Sequence, residues 1–292
     1  MQGLIGPLKE LAEFEELCKN KKKDAGMIRV CGCVNSQKSH MMYAIGDGCK
    51  YKVIACSSET KAKQIYEEYR FLDNNTYLYP AKDFLFYKAD IRSKELVKQR
   101  MEGIQAVLSG TPVTFLTSLD GFMDHLAPKA SIEGKVLKIQ NDSTLKLDEM
   151  AERLSAVGYD REVQVEGPGQ FAVRGGILDI YPLTEEFPVR IEFWGDEVDS
   201  IRTFDVESQR SIENMTEITI YPAVEFPQGE EKGVSFLDYF PEEDTILFLD
   251  EPVRLVERGQ NIEEEFLEAQ KKRLENGYEL EEEEAKIFPV AD

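Results

Sequence analysis

The stretch YKVIACSSETKAKQIYEEYRFL, residues 51–72, decides the fold class because it joins a buried apolar strand to a helix. Three segments continue this pattern as a strand, a helix and a strand: TYLYP (76–80), SKELVKQRMEGIQAVLSG (93–110) and PVTFLTSL (112–119). Strands that alternate with helices are joined by right-handed crossovers and form a parallel sheet. The sequence therefore predicts an α/β domain over residues 1–128.

The pattern changes after this domain. STLKLDEMAERLSAVGY (143–159) predicts a helix that Ser143 and Thr144 cap, and the strand-rich sequence after it alternates with period two. We expect a small mixed domain over residues 129–222, dominated by antiparallel strands. Residues 223–292 supply one more buried strand and a long acidic helix. The abrupt end after FPVAD predicts a fragment of a longer protein.

The charge is divided unequally along the chain. Residues 1–150 carry 22 Lys and Arg against 20 Asp and Glu, whereas the remaining residues carry 13 against 36. Such an acidic excess repels phosphate backbones, and the sequence contains no basic stripe of the kind that nucleic-acid binding requires. Protein partners are therefore favoured over DNA.

The loop GCVNSQKS (32–39) has the outline of a phosphate-binding P-loop. Gly32, Lys38 and Ser39 occupy three of its four fixed positions, and MIRVCG before it predicts the strand that should lead into it. Gln37 stands where the fourth position requires glycine. Its side chain crowds the phosphate and the turn, so nucleotide binding should be badly weakened.

A second partial nucleotide motif lies far downstream. The apolar run Ile246 to Leu249 precedes Asp250 and Glu251, as in a strand that carries a magnesium-binding Asp and a catalytic Glu. This pattern is common at the end of any buried strand. The sequence thus favours a nucleotide-binding fold with an inactive site over an active ATPase.

The strand VRIEFW (189–194) carries the candidate binding residues. Period two places Val189, Ile191 and Phe193 on one face, and Arg190, Glu192 and Trp194 on the other. The second face thus holds the single tryptophan of the sequence beside an arginine, and QFAVRG places Arg174 outward as well. Trp and Arg often anchor protein interfaces. The alternative is that a helix covers Trp194 and that Arg190 only pairs with Glu192.

These segments also carry a family resemblance. FAVRGGILDIYP and VRIEFWGDEVDSIRTFDVESQRS resemble the domain shared by the excision-repair helicase UvrB and the bacterial transcription-repair coupling factors, and VIACSSETKAKQIYEEYRF is similar to UvrB. Gln37 departs from the intact P-loop that UvrB needs. FDVESQRS follows the coupling-factor form. The resemblance is therefore to the N-terminal UvrB-like region of the coupling factors.

The resemblance implies a fold and a role. The fold would be a degenerate P-loop, RecA-like helicase domain with a parallel sheet and an inserted small domain, as in the UvrB arrangement 1a-2-1b. The family's contacts with UvrA fall on Arg174, Arg190 and Trp194, although Ala172 replaces a further arginine common in UvrB. The chain would be a non-catalytic adaptor that recruits UvrA in transcription-coupled nucleotide excision repair.

The same resemblance places other activities outside this chain. ATP and magnesium would serve the parent protein's separate motor, so no cofactor is expected here. RNA polymerase and DNA would contact other parts of the parent, an ATP-dependent translocase, and a C-terminal domain would mask the UvrA site. The alternatives are an active P-loop ATPase or a UvrB-type helicase fragment that binds damaged DNA.

Composition excludes several other classes. No apolar run is long enough to span a membrane, and the N-terminus suits an amphipathic helix rather than a signal peptide, so we expect a cytoplasmic protein. The five cysteines form no C-x-x-C pair, and His40 and His125 are isolated. Neither a metal site nor a disulfide framework is therefore expected.

Overall fold

The structure is a computed structural model that describes residues 2–21, 26–34, 36–82, 94–225, 233–277 and 287–289. The C-terminal part of the predicted acidic helix, residues 278–286, lies outside these ranges. Within the described part of the chain, no helix is both long enough and apolar enough to cross a membrane.

Helices and strands alternate along the first part of the chain and give way to successive strands in the middle. The α-helices are α1 Gln2–Lys9, α2 Ala12–Lys21, α3 Ser36–Ile45, α4 Glu59–Tyr69, α5 Lys94–Leu108, α6 Asp120–Met123, α7 Lys129–Gly134, α8 Leu147–Ala156 and α9 Pro252–Glu275. Short 3₁₀ helices span Phe236–Tyr239 and Glu242–Asp244.

The strands form three sheets. Their bounds are β1 Tyr51–Cys56, β2 Thr76–Leu78, β3 Val113–Ser118, β4 Leu137–Gln140, β5 Asp160–Arg161, β6 Gln170–Arg174, β7 Ile177–Tyr181, β8 Val189–Trp194, β9 Glu197–Phe204, β10 Ser211–Met215, β11 Glu217–Ile220 and β12 Thr245–Leu249. The sheet orders are β12-β1-β3-β2, β10-β9-β8-β7-β6-β5 and β11-β4.

The first sheet is parallel throughout, which confirms the α/β prediction for this part of the chain. Its central strands β1 and β3 are buried along their whole length because helices cover both faces. One face packs against α5 and the 3₁₀ turn at Phe236, and the other packs against α4. Strand β12 joins β1 in parallel, so the chain after the middle sheet returns to the first one.

The second sheet is antiparallel except for the short pair β5–β6, as the period-two pattern predicted. One face carries the buried core residues Phe171, Leu178, Ile180, Val189 and Ile191. Helix α8 and the β4–β11 pair pack against this core. The opposite face of the sheet is called the outer face below.

Three local predictions are wrong. Strand β12 is not buried as predicted, because it lies at the edge of the first sheet, with Leu247 43% and Leu249 40% exposed. Residues 27–32 form no strand, and the segment carries exposed apolar side chains, with Met27 90% exposed. Helix α8 begins at Leu147 rather than at Ser143, and its N-cap makes no side-chain hydrogen bond. The reason is that Ser143 Oγ accepts a hydrogen bond from the amide of Gln140, while Thr144 bridges to β9.

A buried ion network joins α5 to the end of the middle segment. Arg100 is fully buried and donates to both carboxylate oxygens of Glu225 and to Asp124 Oδ2, the latter at 2.7 Å. Its guanidinium also lies 4.2 Å from the centre of the Tyr79 ring. Lys82 Nζ adds a second cation 2.6 Å from Glu225 Oε2. The network therefore connects residue 225, which follows β11, to helix α5 on one face of the first sheet.

Candidate protein-binding site

The strand register aligns the polar residues of the outer face in a row. Ala172, Asp179, Arg190 and Arg202 are direct cross-strand neighbours on β6, β7, β8 and β9. Side chains of such neighbours point to the same face of a sheet and lie close together. The row therefore places one acid between a small residue and two arginines, on the side away from the α8 core.

Asp179 organises two of the three predicted binding residues. Its side chain is 1% exposed, and its Oδ2 accepts from Arg174 Nη2 at 2.6 Å. Arg190 binds the same carboxylate with two nitrogens, Nε to Oδ1 at 2.6 Å and Nη2 to Oδ2 at 2.9 Å. This bidentate geometry fixes the plane of the guanidinium. Hydrogen bonding to Asp179 raises the pKa of Arg190, so this side chain stays charged.

Arg190 is more enclosed than the sequence predicted. Its side chain is only 13% exposed, against 45% for Arg174. Gln209 Oε1 accepts from Arg190 Nη2 at 2.9 Å, and the guanidinium lies 4.5 Å from the centre of the Phe204 ring. The prediction that all three residues stand exposed is therefore wrong for Arg190. That residue is largely buried between a carboxylate, an amide and an aromatic ring.

Trp194 is the last residue of β8, beside the turn of the β8–β9 hairpin, and it is 83% exposed. Gly195 and Asp196 form the two-residue turn, and Gly195 has the positive φ of +64° that such turns require. The alternative in which a helix covers Trp194 is therefore wrong. Its indole is therefore accessible to a partner, and tryptophan is one of the residue types that most often anchor protein interfaces.

The second part of that alternative is also wrong. Glu192 pairs with Arg202 rather than with Arg190, and it accepts from Arg202 Nη1 at 3.0 Å and from Ser200 Oγ at 3.0 Å. The hydrogen bond from Arg202 lowers the pKa of Glu192 and outweighs its partial burial. The outer face therefore has two separate ion clusters, one on Asp179 and one on Glu192.

The nucleotide-site candidates meet at the end of β12. Lys38 Nζ lies 2.7 Å from Asp250 Oδ1 and 3.3 Å from Glu251 Oε1. Burial would lower the pKa of Lys38, but its hydrogen bonds to these carboxylates raise it instead. The hydrogen bond from Lys38 lowers the pKa of Glu251. Residues far apart in sequence thus form one ion cluster, and the amine is bound to protein carboxylates.

The loop before Lys38 lacks the frame of a P-loop. Gly32 has a φ of +89°, but the residues before it form no strand. Gln37 is exposed, and its Oε1 accepts a hydrogen bond from the Val34 amide at 3.3 Å. Ser39 is buried and donates to Glu68 Oε2 at 2.8 Å. In a P-loop, the loop amides and the serine hydroxyl bind the nucleotide phosphates and their magnesium ion. Here the Val34 amide and the Ser39 hydroxyl bind other side chains of the protein instead.

Sequence reasoning missed Asp179 and Gln209. Asp179 interrupts the apolar strand GILDIYP at an outward position, and this acid within a buried strand is a signal that could have been used. Gln209 gives no such signal, because only the folded loop brings it to Arg190. Within the described ranges, no cluster of three or more His, Cys, Asp or Glu could hold a metal ion.

Comparison with known proteins places this face inside a matched domain. Residues 137–226 match the family described as UvrB interaction domain. Proteins named transcription-repair-coupling factor are 37% identical over 169 residues in Bacillus subtilis, 35% over 159 in Haemophilus influenzae and 34% over 163 in Staphylococcus aureus. These matches cover 54 to 57% of this chain but 14% of each relative. The resemblance predicted from the sequence is confirmed over this region.

Proposed function

We propose that this chain is a non-catalytic adaptor that recruits UvrA in transcription-coupled nucleotide excision repair. The proposal rests on the outer face of the six-stranded sheet, where buried Asp179 holds Arg174 and Arg190, and on Trp194, which is exposed at the end of the strand that carries Arg190. The face lies within the part of the chain that matches the UvrB interaction domain. Arginine and tryptophan are the residue types that most often dominate binding energy at protein interfaces.

The chemistry of this face indicates the kind of surface that it would bind. Asp179 neutralises one positive charge of the two arginines, and their remaining N–H groups can donate to a carboxylate of the partner. The indole of Trp194 needs an apolar pocket in the partner. UvrA would therefore present an acidic group beside an apolar pocket.

The wider role rests on the relatives. They are named for coupling transcription to repair, and this chain spans about one seventh of their length. We assign ATP-driven translocation and the contacts with RNA polymerase and DNA to other parts of a longer protein. The UvrB-like arrangement with boundaries at residues 128 and 222 belongs to the same proposal, as does masking of the outer face by a further domain.

The direct test is the affinity for purified UvrA. Trp194→Ala and Arg174→Ala should each weaken binding by tenfold or more, because loss of an interface anchor costs about 2 kcal/mol. Both variants should melt like the wild type, since both side chains project from the sheet. Val163→Ala removes another exposed apolar side chain from the matched region and is the control. Wild-type affinity in both test variants would refute the proposal.

A nucleotide-binding role is the second candidate. It is favoured because the fold brings Lys38 of the first partial nucleotide motif to Asp250 and Glu251 of the second. Gln37 and the missing strand before it oppose this candidate. Calorimetric titration with ATP and magnesium separates the two functions. The adaptor proposal predicts no saturable binding, whereas binding that disappears in Lys38→Ala would establish a working nucleotide site.

Binding of damaged DNA is a weaker alternative, because the net charge is −21. It predicts a DNA affinity that falls steeply with salt. The adaptor proposal predicts no such affinity in this chain.

A further inference from the structure

Gln209 has a backbone conformation that its residue type disfavours. Its φ is +58°, in the left-handed region that glycine and asparagine adopt most readily. A strained residue that persists at such a position is a reason to look for a function of its side chain.

The loop around Gln209 is held by other residues. Asp205 Oδ1 accepts from the amide and the hydroxyl of Ser208 at 2.8 and 2.6 Å, and the Asp205 amide donates to the Arg210 carbonyl at 2.9 Å. The Gln209 backbone amide donates to the Asp205 carbonyl at 2.8 Å, a bond that any residue except proline could make. The backbone bonds and Asp205 thus hold the loop, and the Gln209 side chain adds one hydrogen bond within it, from Nε2 to the Val206 carbonyl.

The side chain of Gln209 also reaches Arg190. Its Oε1 accepts from Arg190 Nη2 at 2.9 Å, while its Nε2 donates to the Val206 carbonyl at 2.8 Å, which fixes the orientation of the amide. Asp179 holds Nε and Nη2 of the same guanidinium, and Phe204 lies against it. Arg190 is thus held by three groups from three different segments.

One nitrogen of Arg190 remains for a partner. Nη1 makes no hydrogen bond within the described residues, and it is not among the buried unpaired atoms, so it reaches solvent. Fixing the rest of the guanidinium gives this N–H pair a single direction before the partner arrives. Pre-organisation of this kind raises affinity, because less side-chain freedom is lost on binding.

We propose that Gln209 is a positioning residue that holds Arg190 in its docking geometry. This inference rests on the proposed function, since it assumes that Arg190 contacts UvrA. It assigns a binding role to a residue that makes no contact with the partner itself. It also gives a reason why a glutamine occupies a left-handed position that suits glycine better.

The test is Gln209→Gly, which removes the amide and relieves the backbone strain together. We expect the variant to melt at or above the wild-type temperature and to bind UvrA roughly 5- to 10-fold more weakly, through faster dissociation. A residue with only a structural role would not lower affinity while stability is kept. Gln164→Ala removes an exposed glutamine from the same region and should bind like the wild type.

A second background tests the route through Arg190. In Arg190→Lys the charge beside Asp179 is kept but the planar fork is lost, so adding Gln209→Gly should change affinity by less than about twofold. Wild-type affinity of the single variant Gln209→Gly, beside lost binding in Trp194→Ala, would overturn this inference and leave the adaptor function standing. No binding of the wild-type chain to UvrA would overturn the proposed function itself.

Discussion

At the scale of single residues, the two arginines on Asp179 differ in what their removal would leave behind. Arg190 makes two hydrogen bonds to this buried carboxylate, whereas Arg174 makes one from a half-exposed position. If Arg174 is lost, Asp179 keeps its bidentate partner. If Arg190 is lost, a carboxylate that is 1% exposed keeps only one flexible cation.

We therefore predict that Arg190→Ala lowers the free energy of unfolding by about 3 kcal/mol, because a buried charge loses its main partner. Arg174→Ala should lower it by less than about 0.5 kcal/mol. Urea denaturation followed by circular dichroism measures both values. The double variant Asp179→Ala/Arg190→Ala should be more stable than Arg190→Ala alone, and equal losses in the two single variants would contradict this account.

Because Arg190→Ala should destabilise the fold and Arg174→Ala should not, the two variants do not report on UvrA binding equally well. Reduced UvrA binding by Arg190→Ala would combine a lost contact with a loosened sheet. Trp194 and Arg174 are the cleaner probes, because their side chains project into solvent. Period two in the sequence placed these residues on the outer face correctly. It could not predict the burial of Arg190, which depends on the register of β7 and on a loop that follows β9.

At the scale of elements, the β8 strand is fixed beside the β6–β7 turn. The Phe193 amide donates to the Gly176 carbonyl at 2.8 Å. A Cβ on Gly176 would lie 2.9 Å from the Phe193 carbonyl oxygen, so glycine is needed for this approach. The contact holds the end of β8 that carries Trp194.

Gly176→Ala should therefore lower the free energy of unfolding by about 1 to 3 kcal/mol, since two backbones must move apart. Gly167→Ala is the matched control, because a Cβ there meets nothing within 4 Å and its φ is not positive. Thermal melts of the two variants test the difference. Equal stability of both would show that the β8 strand tolerates displacement at this point.

Local pattern predicted most elements but failed where the outcome depends on other segments. Period two predicted the strands β6 to β9. The apolar stretch at residues 27–32 resembles a strand in sequence, yet it pairs with no strand in the described part of the chain. A segment becomes a strand only when another strand pairs with it, and sequence periodicity does not show whether such a partner strand is present.

At the scale of the whole molecule, the network of Arg100, Glu225, Asp124 and Lys82 joins helix α5 to the segment that follows β11. Burial alone would raise the pKa of Glu225, but the charges of Arg100 and Lys82 outweigh it and lower the pKa to about 2. A carboxyl with a lowered folded pKa contributes stability above its unfolded pKa near 4.5 and loses it as the pH falls.

The free energy of unfolding should therefore fall between about pH 4.5 and pH 2, with Glu225 contributing up to about 3 kcal/mol. Glu225→Gln should be less stable than the wild type at pH 7, and the difference should shrink across this window. Glu207→Gln, at an exposed position, should follow the wild-type curve. A constant difference between Glu225→Gln and the wild type from pH 7 to pH 2 would contradict the role of this charge.

The sequence predicted the parallel sheet and the strand-rich middle segment, because alternation and period two are repeated many times along the chain. It identified Lys38 and Asp250 only as parts of two separate, incomplete nucleotide motifs, and it did not predict that the two side chains pair. The Arg100 network could not be predicted, since Glu225 lies 125 positions away and carries no local pattern. Contacts of this range depend on tertiary packing rather than on propensity.

The most direct test of the adaptor proposal uses the single tryptophan of the sequence. The chain labelled with 5-fluorotryptophan should give one ¹⁹F resonance, from Trp194, with the solvent isotope shift of an exposed indole. On titration with unlabelled UvrA, we predict that this resonance shifts or broadens and that its solvent isotope shift disappears as the indole is buried. An unchanged resonance at UvrA concentrations that saturate binding would contradict the proposal that Trp194 anchors the interface.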